Sequence, residues 1–418
     1  MSSNPSNFDN KSMSVDEKKR LDRQMRLPGW NQEILKKSTV LIAGVGGLGV
    51  EIAKNLAMVG VGHLILVDMD TIEYSNLNRQ ILFVGAPEGM SKAKAAGLKL
   101  REINPHIKIT AFNKPLQEID PLAYQRADLY ISGLDSVRAR SELNRRAVHN
   151  NKIMIDAGTA NYNGHIYCIF PHDNACFDCD QLREKEQEDL AACTLVGVPR
   201  KKVHCILKGK LKFEADHDGQ EPDIWNEADM NFVQGYCNNL VAEHFPNEAP
   251  YSVDEIIKII DQHEPTVITI NAVMASLQSQ EAIKLLHHIH GKETNSQLGS
   301  INKNYIIYNG LTGKFFEIQK APNPQCLTCG PDASPLFKLR VKASNNFSET
   351  LKKIVEKKGY SWDSEFPPSV FRVDSLDGLD EVDLAGTFAD TGLRNYETVY
   401  VTGMDDKSFY LQLNILKE

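Results

Sequence analysis

The 418-residue chain has 42% apolar and 24% charged residues and a net charge of -8, the profile of a folded globular protein with room for two or three domains. This acidic balance excludes a general nucleic-acid or membrane-surface binder, but leaves open a local basic pocket for a small anion. No apolar run reaches spanning length and the N-terminus lacks the apolar core of a secretory signal, so the expectation is a cytoplasmic protein with no membrane and no nucleic-acid partner.

Residues 1–17, rich in Ser, Asn and Lys without periodicity, read as a disordered arm. The stretch "TVLIAGVGGLGVEIAKNLAMVGVGHLILVDMD" then reads as strand, glycine turn, amphipathic helix, strand. Gly44, Gly46, Gly47 and Gly49 let the turn approach a ligand, and the helix N-terminus faces phosphate. Asp68, at the end of the second strand, can accept hydrogen bonds from ribose hydroxyls, and Asp70 is counted to the same site. Taken alone, this βαβ unit fits a dinucleotide dehydrogenase equally well. Arg79 in "SNLNRQILF" and Lys92 in "EGMSKAKAA" break the tie, because two fixed cations suit a triphosphate better than a nicotinamide. The buried run "ADLYISGLD" ends at Asp135, where a carboxylate at the carboxyl edge of a sheet can hold magnesium. Any one of these three charges alone reads as a surface charge or a cap; together they form a site.

Eight cysteines occur, at 168, 176, 179, 193, 205, 237, 326 and 329, and a reducing compartment argues against a disulfide framework. "ACFDCD" and "QCLTCG" place Cys176, Cys179, Cys326 and Cys329 in two Cys-x-x-Cys pairs that can close a tetrahedral zinc site. Four thiolates leave no open position, so such a zinc is structural; a redox motif and unpaired surface thiols are the alternatives. Cys193, in "ACTLVGVPRKKVHC", reads as zinc ligand, buried small hydrophobe or nucleophile. Pro199 suits the first turn of a helix carrying Val203, Ile206, Leu207 and Leu211, which puts Cys205 inside that helix and Cys193 in the loop before it.

Residues 181–264 are polar and irregular, with helices that the pattern does not fix. The apolar spacing of "EPTVITINAVMASLQSQEAIKLLHH" indicates a helix returning to the nucleotide core, and "GKFFEIQKAPNPQC" a late strand leading to the second cysteine pair. From Pro335 the pattern changes. Phe337, Leu339 and Val341 alternate as on a strand, Ser348 can cap a helix carrying Leu351, Ile354 and Val355, and Gly359 can stop it. "ETVYVTG" and "SFYLQLNIL" read as strands.

"RLDRQMRLPGWNQEILKKSTVLIAGVGGLG", "DMDTIEYSNLNRQILF", "KAKAAGLKLREINPHI" and the paired knuckles closely resemble the ubiquitin-activating enzymes and their bacterial relatives that adenylate sulfur carriers. The resemblance covers residues 18–180 and 265–330. It implies ATP at the glycine turn, with Asp68 at the ribose, Asn76, Arg79, Gln80 and Lys92 around the nucleotide, and Asp135 at the magnesium-bound phosphates. It further implies that Arg23 reaches the ATP of a partner subunit. Because this chain has both that arginine and a complete site, the expectation is a homodimer. The stretch from Cys193 is similar to the thioester-forming segment of ubiquitin-type enzymes at Cys193, Thr194, Pro199, His204 and Cys205, which implies that Cys193 is the nucleophile. Lys202 stands where better-known segments have a second proline.

The implied fold is α/β: a Rossmann-like doubly wound adenylation domain over 18–180 and 265–334 with zinc knuckles, an inserted catalytic-cysteine region over 181–264, and a C-terminal ubiquitin-like (β-grasp) domain over 335–418. The implied activity is ATP-dependent activation of a ubiquitin-like protein ending in Gly-Gly, by adenylation, thioester formation on Cys193 and transfer to a conjugating enzyme. A sulfur-carrier protein adenylyltransferase and a non-catalytic ATP-binding scaffold are the alternatives.

Overall fold

The computed structural model describes residues 13–180, 198, 199, 201–217, 219–260, 266–291, 296–363, 365–373, 380–404 and 407–416. The chain divides into two compact units, one of residues 1–179 and 266–418 and the other of residues 180–265.

The larger unit is built on an eight-stranded sheet. In chain order its strands are β1 (Thr39–Ala43), β2 (His63–Val67), β3 (Lys108–Phe112), β4 (Leu129–Ser132), β5 (Ile153–Ala160), β6 (Asn163–Ile169), β7 (Tyr305–Asn309) and β8 (Lys314–Ile318). Their spatial order is β3-β2-β1-β4-β5-β6-β7-β8. The first five are parallel, and β6 to β8 continue the sheet antiparallel. Alternate residues of the central strands feed two separate cores. Val40, Ile42, Leu64 and Leu66 pack with Ile52 and Leu285 on one face. Leu41, Ala43, Ile65 and Val67 pack with Tyr124 and Leu143 on the other. Both faces are therefore covered by helices, as a parallel sheet requires, and the apolar runs of β1 and β2 are continuous for that reason. The strand order reverses direction at β1, between β2 and β4. The carboxyl edge between β1 and β4 is thus the crevice where doubly wound sheets bind ligands.

The N-terminal helix, Val15–Met25, begins inside the segment expected to be disordered. Ser14 accepts a hydrogen bond from the Glu17 N–H, and Asp16 and Glu17 occupy the first turn, so the local sequence supplies its own start signal.

The same unit contains a second sheet, of β9 (Leu336–Lys342), β10 (Ser369–Arg372), β11 (Asp380–Glu381), β12 (Thr398–Met404) and β13 (Lys407–Leu416). Their order is β11-β10-β12-β13-β9, with β9 and β13 parallel and the other pairs antiparallel. One helix, Phe347–Lys357, packs Phe347, Leu351 and Val355 against Val399, Phe409 and Leu411. The cap of this helix is Asn346, whose side chain accepts from the Glu349 N–H at 2.9 Å, and not Ser348, which lies within the first turn. Asn is at least as good a cap as Ser, and starting one residue before Phe347 lets that ring enter the core. Gly359 adopts a positive φ of 78° just past the end of the helix, as the sequence suggested. This sheet is tied to the eight-stranded half of the unit by Arg394, whose guanidinium donates to the carbonyls of Ile119 at 3.0 Å and Glu118 at 3.1 Å. Gln412 also donates to the Asn150 side chain.

The smaller unit contains the helices Val203–Asp216, Glu227–His244 and Val253–Ile260 around a core of Cys205, Ile206, Phe213, Val233, Cys237 and Ile256. The expectation that Pro199 opens the first of these is corrected: Pro199 lies four residues ahead of it, and residues 201 and 202 form a bend and turn.

Asn346→Ala is expected to destabilise the C-terminal module by about 1 kcal/mol, and Ser348→Ala by less than about 0.5 kcal/mol. Urea denaturation of the two variants measures the difference, and equal losses would restore Ser348 as the cap.

Candidate functional site

The glycine turn follows β1 directly. Gly44 has a positive φ of 82°, and a Cβ there would lie 2.6 Å from the Gly133 carbonyl oxygen just past β4. A Cβ on Gly49 would in turn collide with the Gly44 carbonyl oxygen. Only glycine allows the two strand ends and the helix to meet this closely. The helix Gly47–Met58 starts from Gly46 with no side-chain cap and no acidic residue in its first turn. Its uncapped N–H groups and positive dipole end are free to face an anion.

Asp68 stands where β2 ends. One carboxylate oxygen accepts the Val45 N–H at 2.6 Å and the other the Asp70 N–H at 2.8 Å, which fixes its orientation beside the turn. Burial raises its pKa and these two backbone hydrogen bonds oppose the rise. A carboxylate has roughly four acceptor positions, so two backbone donors leave capacity for hydroxyls. Lys92, the first residue of the helix Lys92–Ile103, is buried and donates to Asp70 at 2.9 Å. The structure thus brings Asp68, Asp70 and Lys92 together.

Arg79 donates to the Ser75 carbonyl at 3.1 Å and the Asn78 side chain at 3.0 Å, and its Cδ lies 3.6 Å from the position of a Cβ on Gly47. It therefore lines the turn. Asn76 is buried and donates to Ser75 and Glu73. Gln80 is buried with its side-chain oxygen unpaired among the described residues. Asp135 lies three residues beyond β4 and not at its end, exposed, and no hydrogen bond or ion pair among the described residues engages its carboxylate. Arg23 is exposed in the last turn of the N-terminal helix, with no bond from its side chain to the turn.

Two groups escaped the sequence reading. Asn271 and Gln278 lie one above the other on the helix Ile268–His290, 1% and 0% exposed. Asn271 Oδ1 accepts from the hydroxyls of Thr159 at 2.8 Å and Thr266 at 3.0 Å. Its Nδ2 has no partner among the described residues, and a Cβ on Gly47 would collide with it. Gln278 donates to the Ser132 carbonyl at the end of β4, at 2.9 Å. A buried donor left unpaired costs about 1–3 kcal/mol, so the Asn271 amide is an observation that calls for a partner.

The four knuckle cysteines converge. Their sulfurs all lie within 4.8 Å of one another, with Cys176 to Cys326 at 3.7 Å, Cys176 to Cys179 at 3.8 Å and Cys179 to Cys329 at 3.4 Å. A tetrahedral zinc with bonds of about 2.3 Å separates its sulfurs by about 3.8 Å, so the donor set fits that ion. Surrounding groups orient the set. Asp178 of the first knuckle accepts from Thr328 of the second at 2.8 Å and from Asn144 at 2.9 Å, and the Asn323 N–H points at the Cys179 sulfur.

In the smaller unit Cys205 is fully buried within its helix, and burial pushes its thiol pKa up. That is the environment of a packing thiol. Cys193 and Thr194 lie outside the described residues.

Residues 21–328 match the ThiF family. The chain is 31% identical to the NEDD8-activating enzyme E1 catalytic subunit of Dictyostelium discoideum over 336 residues, 75% of this chain and 73% of the relative. It is 30% identical to the Saccharomyces cerevisiae enzyme of the same name over 305 residues, 69% of this chain and 97% of the relative. This chain belongs to the ThiF family, among its ubiquitin-like-modifier activating enzymes. Among solved structures, E. coli MccB with ATP overlaps 72% of this chain and 68% of its own at 20% identity and a TM-score of 0.45.

In this activating enzyme, the missed Asn271 left a signal in the sequence. An Asn and a Gln seven residues apart lie on the buried stripe of this helix, beside Met274, Ala275 and Ala282. Reading the stripe only for apolar content hid them. Among the described residues, no helix is long and apolar enough to cross a membrane.

Elemental analysis of the activating enzyme is expected to find about one zinc per chain, lost in Cys326→Ser, and removal by a strong chelator is expected to lower the melting temperature. A metal-free chain with unchanged melting would show that the four thiols stand without an ion.

Proposed function

We propose that this enzyme activates a ubiquitin-like protein ending in Gly-Gly, using ATP. One observation supports the reading: the uncapped helix N-terminus after β1 lies beside Arg79, in a chain of this family, with Lys92 held by Asp70 next to Asp68 and the Asp135 carboxylate, unengaged among the described residues, past the end of β4. The glycine turn takes the phosphates, and Asp68 takes the ribose hydroxyls. Asn76 and Gln80 line the nucleotide, and Asp70 holds Lys92 in position. Magnesium bound at Asp135 would neutralise phosphate charge.

The substrate's terminal carboxylate oxygen attacks the α-phosphorus, the bond to the β-phosphate bridge breaks, and pyrophosphate leaves. Arg79 and Lys92 offset the charge that moves onto the phosphates, so the step is catalysed by position and electrostatics. The thiolate of Cys193 then attacks the carbonyl carbon of the acyl adenylate, AMP leaves with the bonding electrons, and the acyl group remains as a thioester. A conjugating enzyme's thiolate takes the acyl group by the same exchange.

Three further assignments complete the proposal. The four knuckle cysteines hold a structural zinc that ties distant segments of the larger unit. Arg23 serves the nucleotide of a second copy in a homodimer, which suits its exposure and its lack of a partner among the described residues. Residues 335–418 form a ubiquitin-fold (β-grasp) domain that recruits the conjugating enzyme, supported by a single helix packed on a sheet whose first and last strands run parallel.

Cys193→Ala is expected to preserve carrier-dependent ATP:pyrophosphate exchange while abolishing the thiol-sensitive adduct on a non-reducing gel. Loss of the adduct on Cys205→Ala, with Cys193→Ala unaffected, would move the nucleophile. Exchange in Arg79→Ala, Lys92→Ala and Asp135→Ala should fall by about 100-fold each, and normal exchange in all three would refute the site. Carrier-dependent exchange with no adduct in the wild type would favour the sulfur-carrier adenylyltransferase.

Removing residues 335–418 should leave the Cys193 thioester largely intact while transfer to a conjugating enzyme falls steeply, because thiol exchange requires two large proteins held with sulfurs aligned. Both steps are measured on one soluble preparation; parallel loss of adenylation and transfer would assign the module to stability alone, and undiminished transfer would remove its recruiting role.

A further inference from the structure

The Asn271 carboxamide is held by its oxygen and open at its nitrogen. The hydroxyls of Thr159 and Thr266 converge on Oδ1 at 2.8 and 3.0 Å, and the two hydroxyls lie 3.2 Å apart. This clamp fixes the rotation of the amide, so that Nδ2 faces the other way, against Gly47. The Asn271 Cγ is 3.4 Å from the position of a Cβ on that glycine, and the Arg79 Cδ is 3.6 Å from the same point. Asn271, on the helix Ile268–His290, and Arg79 thus reach the first helical residue of the turn from segments that are remote in sequence. The nitrogen is buried with no acceptor among the described residues. An apolar residue in its place would fill the gap without leaving a donor unpaired, so the position has the chemistry of a donor awaiting an acceptor.

We propose that Asn271 is a nucleotide-positioning residue whose Nδ2 donates to an anionic phosphate oxygen bound at the Gly44–Gly49 turn, with Thr159 and Thr266 setting its orientation. The inference rests on the ATP-dependent reading above and adds to it a phosphate contact from a helix outside the βαβ unit. Three donor types then surround the anion: uncapped backbone N–H groups, the Arg79 guanidinium and a neutral amide. The neutral donor adds a direction without adding charge, which favours a phosphate held in one orientation over an anion held loosely. Thr266 gives the contact a second consequence. It is the first residue of the larger unit after the insertion, so the clamp that orients the donor is built partly from the point where the chain returns.

The test is direct binding of a non-hydrolysable ATP analogue and of adenosine to the purified full chain, by calorimetry or by competition against a fluorescent nucleotide. Asn271→Asp replaces the donor with a like-sized acceptor and is expected to weaken the ATP analogue by about tenfold or more while adenosine changes by less than about twofold. Asn271→Ala removes the donor without adding charge, and is expected to show the same selectivity at about fivefold. It serves as the reading should the aspartate variant fail to fold. The double variant Thr159→Val, Thr266→Val keeps Asn271 but frees its rotation, and should weaken the ATP analogue selectively as well. Equal losses for both ligands would mark a collapsed pocket and overturn the proposal, as would unchanged ATP binding in the Asn271 variants. A wild-type chain that binds neither ligand would overturn the ATP-dependent reading on which the inference depends, whereas wild-type binding with unaffected variants would overturn the Asn271 contact alone.

Discussion

The structure depends on a contact between backbones that no side chain could share. Gly44, Gly49 and Gly133 come within van der Waals limits where β1, its following helix and β4 meet; a Cβ on Gly133 would lie 2.9 Å from the Gly44 carbonyl oxygen and 3.0 Å from the Gly49 nitrogen. This closeness sets the crevice at the reversal of strand order and presents the helix N-terminus to it. The residues proposed for chemistry inherit their places from it. Asp68 is held by the Val45 N–H of the same turn, Arg79 and Asn271 press on Gly47, and Asp135 follows Gly133 by two residues. A methyl group at Gly44 would therefore disturb the strand ends and several site groups together, which is a stronger constraint than conformational freedom at one residue.

Electrostatic arrangement follows the same logic. Lys92 is buried, and an isolated buried ammonium is expensive, so the Asp70 carboxylate at 2.9 Å offsets that cost. Asp70 is itself about half exposed, and solvent screening keeps the pair from becoming a tight neutral unit. For the proposed ATP site this gives a cation already oriented, which would lower the reorganisation needed on binding. The second sheet uses a different device. Glu397, fully buried, accepts from Arg372 at 2.8 Å and Arg394 at 3.2 Å, and Arg394 also reaches the eight-stranded half of the unit. Loss of either arginine would leave that carboxylate short of a partner, so the packing of the module and its attachment share one network.

Much of this was legible in the sequence because it rests on short-range pattern. The glycine turn, the continuous apolar strands, Asp68 at a strand end, Lys92 at a helix start and the paired cysteines each declare themselves within a few residues. The α/β class and the parallel sheet follow from them. What stayed hidden depended on contacts across the chain. Of the helices of residues 203–260 only the first, carrying Val203, Ile206 and Leu207, is legible from its spacing; Glu227–His244 and Val253–Ile260 are not, although Cys205, Phe213, Val233 and Ile256 assemble a core once the helices pack. Asn346 and Ser348 are both competent caps, and only the burial of Phe347 decides between them. Asn271 does not stand out in the sequence, because nothing nearby announces that Thr159, over a hundred positions earlier, will hold its oxygen. A polar residue on the buried stripe of a helix is the signal to weigh in such cases, since burial without a partner is costly.

The unit of residues 180–265 is an insertion in the chain of the larger one. Its two ends are both anchored in the larger unit. On the outgoing side Cys179 sits in the four-sulfur cluster, with Asp178 bonded to Asn144 and to Thr328 of the other knuckle. On the returning side Thr266 bonds to Thr159 and pairs with Asn161. Loop closure grows only slowly with length, by about 0.6 kcal/mol for each doubling, so once the ends are fixed a whole folded unit can occupy the connection at little extra cost. The helices of residues 203–260 have their own core, and their stability does not need to come from the sheet. In the proposed reaction, fixed ends and an independent core separate two demands: the turn proposed to take the phosphates must be held to within fractions of an ångström, while the region proposed to deliver the thiol must be free to change its arrangement between steps. The four sulfurs fix the outgoing end of the insertion, since they bring the second cysteine pair onto the first.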